Sequence, residues 1–397
     1  MKRLSRSPAA SSAKRPTAII LARAGRQLAA AARAAGMCPL VADLFGDSDT
    51  RMLAARWRPV VGNAAFNFQP ASLRHALQGL QRLAPEAPVV WGSGFEGRVP
   101  LLEELRAQAE VLGSPGAALG CVWQPWRLAQ VLRTAGIATP AIQRERVPRS
   151  GEWLVKRLGG AGGGHVRPGK PGASLGARDY AQARVNGRSL SVSWVAAANE
   201  VRVLGFCEHL FWSDTPDSFR YGGAVVRRDL PRALQTRVAA ALRRLGRALD
   251  LRGLMGIDFV LERGGGWQVV ELNPRPTATF DLLARAGDVW RAHLAACRDQ
   301  PIGQIRALVP VAAHAVLYAP QPFRMPRKLD WPSWVSDRPQ PGVWMPAGAP
   351  ICTVRAAGHD AARARHALAG RLQRLCGWLG ITLGAELRTR AELTDPR

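Results

Sequence analysis

The sequence predicts an α/β protein, with a Rossmann-like parallel sheet near the amino terminus and an α+β region with antiparallel sheets after it. Apolar runs at 17–21 and 39–43 flank a helical stretch at 25–35, and this strand–helix–strand order is typical of a parallel sheet. Further along, strand-like stretches at 254–262 and 267–273 are separated by a run of glycines, which predicts an antiparallel hairpin with a tight turn.

The composition is that of a folded globular protein without a membrane-spanning segment. The chain has 397 residues, enough for two or three domains, and 47% of them are apolar. No apolar run approaches the roughly 18 residues that cross a bilayer. Residues 1–16 are basic and lack an apolar signal core, so we expect a disordered tail. The six cysteines are scattered, which favours reduced thiols in a cytoplasmic protein.

The strongly basic composition leaves a nucleic-acid-binding protein open as an alternative. The formal net charge is +26, which is common among proteins that bind polyanions. However, only five of the 55 cationic residues are lysines, and the arginines are spread along the chain without an aromatic-rich patch. We therefore expect a solvated basic surface, with electrostatic attraction for anionic ligands such as nucleotides as the alternative, and we regard nucleic acid as a less favoured partner.

Residues 17–114 are predicted to form the Rossmann-like domain. A further strand is expected at 88–91, followed by the loop GSGFEG and a helix from about 99 to 112. The loop follows the carboxyl end of a strand, where open α/β sheets bind ligands, so it is a candidate wall of the acceptor-substrate site, with a plain tight turn as the alternative. The pattern G-x-G-x-x-G is missing after the first strand, which argues against a nicotinamide or flavin cofactor.

The middle of the chain alternates strands with a glycine-rich loop and a long helix. A helix is predicted at 126–136 and a strand that carries a lysine at 152–157. The expected strands at 180–185 and 189–197 are joined by an Asn-Gly turn. Asp281 is expected to cap the helix that follows it. The remaining predicted elements are a strand at 200–212, a helix at 231–250, a strand at 350–355 and a helix at about 359–379.

The glycine-rich loop after the lysine strand is a candidate phosphate-binding site. Its sequence is KRLGGAGGGH, starting at Lys156. Glycines allow backbone N–H groups to approach polyphosphate oxygens closely, and the ammonium group of Lys156 supplies a point charge to the same oxygens. The glycines expected to contact phosphate are Gly160, Gly162, Gly163 and Gly164. A flexible linker is the alternative for the loop taken alone, because it lacks the P-loop pattern.

Two carboxylates and an amide in the predicted hairpin form a candidate metal site. Glu271 and Asn273 are two residues apart, so their side chains point to the same face of the strand. The short turn brings Asp258 across from them on the other strand. Carboxylate and amide oxygens are hard ligands that suit Mg²⁺, with Mn²⁺ as an alternative. Arg275 follows between two prolines, which stiffen the backbone that presents its guanidinium group.

These features, in this order, resemble the ATP-grasp superfamily in its biotin-carboxylase-like, carboxylate–amine ligase branch. The resemblance is carried by the lysine and its glycine loop, by YAQARVNGRSLSV and by MGIDFVLERGGGWQVVELNPR. It implies catalytic roles for Lys156 at the ATP phosphates and for Arg275 at the reacting phosphoryl group. It implies metal-binding roles for Asp258, Glu271 and Asn273.

The resemblance also implies a domain arrangement and a nucleotide-binding segment. The ATP-grasp domain would span 115–300 with a lid at about 140–183, and 301–397 would complete its sheet. The implied nucleotide contacts are Gln182, Ala183, Arg184, Val185 and Ser189. This chain has Ser189 where such hinges usually carry an acidic residue, and it lacks the phosphate-binding lysine expected near 124–127. A nucleotide-binding protein without catalysis is therefore an alternative.

The activity implied by the resemblance is an ATP- and Mg²⁺-dependent ligation. A substrate carboxylate is activated as an acyl phosphate, which an amine then attacks. The expected partners are a small-molecule carboxylate and an amine, with no membrane, and a homodimer stays open. The carboxy-terminal sequence WPSWVSDRPQPGVWMPAGAPICTV also resembles variant ligases of bacteria with C1 metabolism, which implies a role in C1-cofactor biosynthesis.

Overall fold

The computed structural model describes residues 15–63, 67–212 and 219–394. The predicted tail at 1–16 lies outside these ranges except for its last two residues. The described residues form a parallel sheet, a small antiparallel sheet, a large antiparallel sheet and a two-stranded ribbon, which confirms the predicted fold class. Within the same residues, no helix has the length and apolar character needed to span a bilayer.

The amino-terminal region is a parallel sheet with helices on it, as predicted. Its elements are β1 (Thr17–Leu21), α1 (Arg26–Ala34), β2 (Cys38–Asp43), α2 (Ser48–Leu53), β3 (Arg56–Pro59), α3 (Pro70–Gln81), β4 (Val89–Trp91), α4 (Val99–Arg106) and β5 (Val111–Leu112). The strand order is β3-β2-β1-β4-β5. The predicted helix at 99–112 is wrong at its carboxyl end, because the buried residues Val111 and Leu112 pair with β4 as a strand.

Asp43, at the end of β2, holds neighbouring loops of the parallel sheet together. Its buried carboxylate accepts hydrogen bonds from the backbone N–H groups of Gly25 and Gly46, both at 2.9 Å, and from the indole of Trp57 at 2.8 Å. In a dinucleotide-binding sheet, an acidic residue near this point would bind a ribose hydroxyl. Here the carboxylate binds backbone and indole N–H groups of the protein.

A small antiparallel sheet, named the lid sheet, follows two helices. The elements are α5 (Gly116–Val122), α6 (Pro125–Thr134), β6 (Ile142–Gln143), β7 (Trp153–Arg157), β8 (Arg167–Pro168) and β9 (Asp179–Ala183). The lid sheet has the order β6-β9-β7-β8. The two strands predicted at 180–185 and 189–197 are present as β9 and β10, but they lie in different sheets, because β9 pairs with β6 and β7. The Asn-Gly link is therefore a crossing from the lid sheet to the next sheet.

The largest sheet is antiparallel and carries the predicted hairpin at one edge. Its first elements are β10 (Arg188–Ala196), β11 (Val201–Trp212), β12 (Tyr221–Arg227), α7 (Arg232–Ala248), β13 (Gly253–Leu261) and β14 (Trp267–Asn273). The register of β13 and β14 places Asp258 directly opposite Glu271, which confirms the predicted hairpin. The buried side of α7, with Leu242 and Leu245, packs into the same core as Trp194 of β10.

The carboxy-terminal segment extends the same sheet. It follows α8 (Phe280–Leu283) and α9 (Ala286–Cys297) and consists of β15 (Val311–Tyr318), β16 (Phe323–Arg324), β17 (Val335–Ser336), β18 (Trp344–Met345), β19 (Pro350–Gly358), α10 (Ala361–Leu379), β20 (Leu387–Thr389) and α11 (Arg390–Thr394). The order of the described strands is β14-β13-β10-β11-β12-β15-β19-β17, with β20 paired to β11 and a separate ribbon of β16 and β18. Helix α10 covers the extension with Leu368 and Leu372.

Asp281 connects the carboxy-terminal strands to the amino-terminal domain. It lies inside α8, whose N-cap residue is Thr279, so the predicted capping role is wrong. The carboxylate of Asp281 pairs with Arg355 on β19 and lies 3.9 Å from Arg26 on α1. Arg26 also donates to Asp337 at 2.9 Å. Burial alone would raise the pKa of Asp281, but the two arginines hold it below its usual value.

We predict that the protein loses stability in mild acid, in part through His293 on α9. Its buried imidazole accepts a hydrogen bond from the backbone N–H of Leu254 at 2.9 Å, and burial lowers its pKa from 6.5 to about 4. The unfolded state binds the proton first, so this stabilisation is complete above pH 6.5 and is lost as the pH falls towards 4. Between pH 7 and pH 5, we expect the titration of His293 to lower the free energy of unfolding by about 2 kcal/mol.

Urea unfolding at the two pH values, followed by circular dichroism, measures this loss. His293→Gln retains an acceptor for the Leu254 N–H group but does not titrate. Its pH dependence should therefore be about 2 kcal/mol smaller than that of the wild type. The same pH dependence in both proteins would contradict the assignment.

Candidate functional site

The amino-terminal loops, the lid sheet and the large sheet meet around a cavity of about 460 Å³. Most of the predicted site residues line it. They are Lys156, Gly162, Gly163, Gln182, Ala183, Arg184, Val185, Ser189, Asp258, Glu271, Asn273 and Arg275. Gly160 and Gly164 do not line this cavity. The fold therefore brings together side chains from three segments that are far apart in the sequence.

Asp258 and Glu271 form a close pair of carboxylates on adjacent strands of the cavity wall. Asn273 lies two residues after Glu271 on the same face, and its amide nitrogen is 3.4 Å from Asp258 Oδ2. Burial and the charge of Glu271 raise the pKa of Asp258 to about 8, against the opposite influence of Lys156 and Arg275. The pair therefore needs further positive charge to be fully ionised at neutral pH.

The donor set of this pair suits a magnesium ion that shares its coordination with a ligand. Within the described ranges, no group of three or more His, Cys, Asp or Glu residues is arranged to hold a metal by itself. Two carboxylates and one amide oxygen leave coordination positions for water and ligand oxygens, as Mg²⁺ prefers. Ser191, opposite Asp258 on β10, adds a buried hydroxyl oxygen that has no hydrogen-bond partner within the described part of the chain.

Lys156 brings a cation from the lid sheet to the carboxylate pair. Lys156 lies within strand β7 and is only 8% exposed. Burial lowers the pKa of Lys156, whereas the charges of Glu271 and Asp258 act to raise it. A buried ammonium group next to open cavity space can bind phosphate or another anion strongly, because little water competes with the ligand.

Arg275 is held in place by Glu96 of the amino-terminal domain. Its Nε donates to Glu96 Oε1 at 2.7 Å, and its Nη2 is 3.3 Å from Asn273 Oδ1. The other carboxylate oxygen of Glu96 accepts a hydrogen bond from the backbone of Gly94 at 2.7 Å. Burial would raise the pKa of Glu96, but Arg275 and Arg23 together lower it. Glu96 is thus an ionised partner that orients the guanidinium group.

The glycine-rich loop is packed against the start of strand β12. The backbone N–H of Tyr221 donates to Gly162 O at 2.9 Å. A β-carbon added to Gly163, whose φ is +76°, would lie 1.7 Å from the carbonyl oxygen of Phe219. Gly164, in contrast, has open space where a β-carbon would be. Gly162 and Gly163 are therefore the glycines of the loop that contact the start of β12 and line the cavity.

The predicted nucleotide-binding segment lines the cavity next to the lid sheet. Gln182 Nε2 donates to Val270 O at 3.3 Å, which connects the lid sheet to the hairpin. The hydroxyl of Ser189 is 3.2 Å from His209 Nδ1, and His209 Nε2 is 3.7 Å from Asp258 Oδ1. Burial lowers the pKa of His209 to about 4, so its imidazole is neutral at pH 7. A chain of polar contacts thus runs from Ser189 to the carboxylate pair.

Several residues of the cavity wall are absent from the sequence-based prediction. They are Arg23, Ser191, His209, Tyr221, His314, Tyr318 and Arg355. The signal for some of them is strand alternation, since Ser189 and Ser191 share one face of β10 and His209 and Phe211 share one face of β11. Alternation alone does not say which face meets a cavity, because that depends on strands that come later in the chain.

Comparison with known proteins relates part of the chain to one domain family. Residues 124–279 match the family described as the ATP-grasp domain. The large chain of carbamoyl phosphate synthase from Rubrobacter xylanophilus is 26% identical over 258 residues, which cover 57% of this chain and 24% of that protein. The match therefore spans about a quarter of the length of this curated relative.

Solved structures share the fold over nearly the whole chain. Biotin carboxylase from Campylobacter jejuni has a TM-score of 0.68 at 13% identity, over 95% of both chains. N5-carboxyaminoimidazole ribonucleotide synthetase from Thermotoga maritima has a TM-score of 0.64 at 13% identity, over 94% of this chain and 99% of that one. The biotin carboxylase domain of Hydrogenobacter thermophilus 2-oxoglutarate carboxylase has a TM-score of 0.69 at 9% identity, over 95% and 94%. At these identities the likeness shows a shared fold.

We predict that Gly163→Ala prevents the glycine-rich loop from closing, whereas Gly164→Ala does not. The methyl group at 163 meets the carbonyl oxygen of Phe219 and disfavours the positive φ, while the same group at 164 meets open space. Hydrogen–deuterium exchange of the peptide 159–166 should be at least about tenfold faster in Gly163→Ala than in the wild type. Equal exchange in the two variants would contradict the closed position of the loop.

Proposed function

Because the chain carries an ATP-grasp domain at residues 124–279, within the fold of the biotin-carboxylase-like branch, we propose that it is an ATP- and Mg²⁺-dependent carboxylate–amine ligase. The observation that carries the proposal is the presence of Asp258 and Glu271 in one cavity with Lys156 and Arg275. The two acids suit a metal ion, and the two cations suit the phosphates of a nucleotide.

The nucleotide base would lie between the lid sheet and the hairpin. Gln182, Ala183, Arg184 and Val185 line this part of the cavity, and Ser189 follows at the start of the large sheet. Backbone N–H and C=O groups of such a segment can recognise adenine without a charged side chain. Ser189 would then lie near the ribose, where its hydroxyl offers one hydrogen bond in place of a carboxylate.

The phosphates would lie between the glycine-rich loop and the hairpin. Lys156 supplies positive charge, and the backbone at Gly162 and Gly163 can approach the phosphate oxygens because no side chain intervenes. Arg275 faces the same space from the end of the hairpin, where the transferred phosphoryl group would be. This placement supports a reaction at the γ-phosphate.

Asp258, Glu271 and the amide oxygen of Asn273 would hold Mg²⁺, or Mn²⁺ in its place. When bound, the ion neutralises charge on the β- and γ-phosphates and favours attack at phosphorus. Asp258 must give up its proton for this, since burial and Glu271 raise its pKa to about 8 in the protein alone.

In the first step, a carboxylate oxygen of the acid substrate attacks the γ-phosphorus of ATP. A P–O bond to the acid forms, the bond to the β-phosphate oxygen breaks, and ADP leaves with the electron pair. Lys156 and Arg275 stabilise the charge of the transferring group, and Glu96 keeps Arg275 in position with its 2.7 Å hydrogen bond. The product is an acyl phosphate.

In the second step, the lone pair of the amine attacks the acyl carbon. The C–N bond forms, the C–O bond to phosphate breaks, and phosphate leaves. Of the three protons of the starting ammonium group, one stays on the amide, one goes to phosphate and one goes to solvent. The closed glycine-rich loop, packed against Phe219, would keep water away from the acyl phosphate.

A nucleotide-binding protein without catalysis is the second candidate. It is favoured by Ser189, whose hydroxyl lies against His209 at 3.2 Å and replaces the acidic residue expected at the ribose. This function predicts that MgATP raises the melting temperature but that no pair of acid and amine produces ADP.

We predict that Glu271→Gln lowers ADP formation at least about 100-fold, because one of the two charges that hold the cation is lost. The measurement is a coupled ADP-release assay over a panel of acids and amines. Glu262→Gln is the matched control, since Glu262 lies on the same hairpin outside the cavity. Wild-type turnover in Glu271→Gln would rule out the proposed ligase mechanism.

Glu96→Gln should lower kcat about tenfold and leave the thermal shift caused by MgATP unchanged, because Glu96 acts through the orientation of Arg275. Glu103→Gln is a control in the same domain, where Glu103 pairs with Arg106 on α4. A loss of nucleotide binding equal to the loss of kcat would contradict this positioning role.

A further inference from the structure

The large sheet presents a row of side chains that leads from the metal site to the carboxy-terminal strands. Ser189 contacts His209 at 3.2 Å, and the register then pairs His209 with Ala224, Ala224 with His314, and His314 with Arg355. Residues paired in this way lie on one face of the sheet. Because adjacent strands are about 4.8 Å apart, the row is roughly 19 Å long. The row thus extends well past the metal site, and His209, His314 and Arg355 of the row line the cavity.

The cavity along this row has aromatic walls. We name this part the aromatic arm, and its residues are His209, Phe211, Tyr221, His314 and Tyr318. The ring centroids of His209 and Tyr221 are 5.7 Å apart and those of Tyr221 and His314 are 5.9 Å apart, both at interplanar angles of 81°. Edge-to-face contacts of this kind leave ring faces and edges available to another flat ring.

Two polar atoms at the carboxy-terminal end of the row have no hydrogen-bond partner among the residues that the structure describes. His314 Nε2 is 2.7 Å from the hydroxyl of Tyr221, but its Nδ1 is buried without a hydrogen bond, and the residue is 2% exposed. Arg355 Nε is also buried without a hydrogen bond. Buried polar atoms in folded proteins are almost always satisfied, so these two indicate a ligand with a polar substituent.

The amino-terminal side of the cavity has a different character. We name it the arginine arm, and it is lined by Arg23, Gln27, Ser93 and Arg275. Arg23 and Arg275 share the buried carboxylate of Glu96, which both of them keep ionised. Positive charge of this kind attracts an anionic substrate, so the arginine arm suits the acid.

The arginines beside the aromatic arm are engaged by acids or by aromatic rings, and the guanidinium of Arg220 lies 4.2 Å from the centroid of the Tyr318 ring. Arg355 pairs with Asp281, and Arg26 pairs with Asp337 at 2.9 Å. The guanidinium of Arg390 lies over two phenylalanine rings, 4.3 and 4.4 Å from their centroids. An amine has to lose its positive charge before it can attack, and an aromatic surface whose arginines are already engaged suits a neutral or weakly cationic ring compound.

We propose that the aromatic arm binds the amine substrate and that this amine carries a planar aromatic or heteroaromatic ring; this inference rests on the proposed ligase function. The ring packs against Tyr221 and Tyr318, with a polar substituent towards His314. The amino group then lies near His209, which is 3.7 Å from Asp258. There its lone pair forms the C–N bond to the acyl carbon as the C–O bond to the leaving phosphate breaks, with the protons distributed as above.

The first experiment compares benzylamine with cyclohexylmethylamine, using the full chain with and without Mg²⁺ and a non-hydrolysable ATP analogue. The two amines share chain length and charge, and they differ in the planarity of the ring. Dissociation constants from ligand-observed NMR titrations should be at least about fivefold lower for benzylamine. Equal affinities, or tighter binding of the saturated amine, would overturn the proposal.

Variants locate the bound ring. His314→Gln and Tyr318→Leu each remove an aromatic ring from the wall of the arm, so each should abolish the preference for benzylamine. His293→Gln is the matched control at pH 7.5, because His293 is an equally buried histidine outside the cavity. If both arm variants keep the preference, the amine binds elsewhere and the proposal is wrong. Circular dichroism shows which of the two arm variants is folded. If only one is folded, that variant alone decides the test.

The thermal shift caused by MgATP separates this inference from the proposed ligase function. A shift without a ring preference leaves the ligase function in place and refutes the aromatic arm as the amine site. If benzylamine binds more tightly but MgATP causes no thermal shift, the ring-binding site is supported and the ligase function is refuted. The absence of both refutes both.

Discussion

The opposed carboxylates of Asp258 and Glu271 are the constraint on which the rest of the cavity depends. Burial and mutual repulsion raise the pKa of Asp258, so the pair is stable as two charges only with cations around it. The neighbouring parts of the fold supply such cations. Lys156 comes from the lid sheet and Arg275 from the end of the hairpin, and a divalent metal with nucleotide phosphates would complete the balance.

Ion pairs between distant segments hold the walls of the cavity in position. Glu96 joins the amino-terminal domain to Arg275, and Arg26 joins it to Asp337 in the carboxy-terminal segment. Removal of one partner from such a pair leaves a buried charge that is costly, so the segments keep their relative positions. The two arms of the cavity, one cationic and one aromatic, follow from this arrangement because each is built at a junction between segments.

Elements whose structure depends on local periodicity were predictable from the sequence. Elements whose structure depends on a distant strand were not. The 253–273 hairpin was predictable from alternation and its glycine turn. The stretch 180–197 has an equally good local hairpin pattern, yet β9 pairs with the lid sheet. The short apolar pair Val111 and Leu112 is a strand because β4 lies beside it, and Asp281 binds arginines that no local pattern could indicate.

The sequence by itself determined which residue types stand in and just after the strands of the site: the hairpin acids, the lysine before the glycine loop and the arginine held between prolines. These follow from the spacing of neighbours along the chain, because backbone geometry repeats every two residues in a strand. Only the tertiary structure decided that Glu96 binds Arg275, 179 residues away, and that His314 faces Arg355 across the sheet. Such contacts depend on strand order and register, which packing of the whole chain sets.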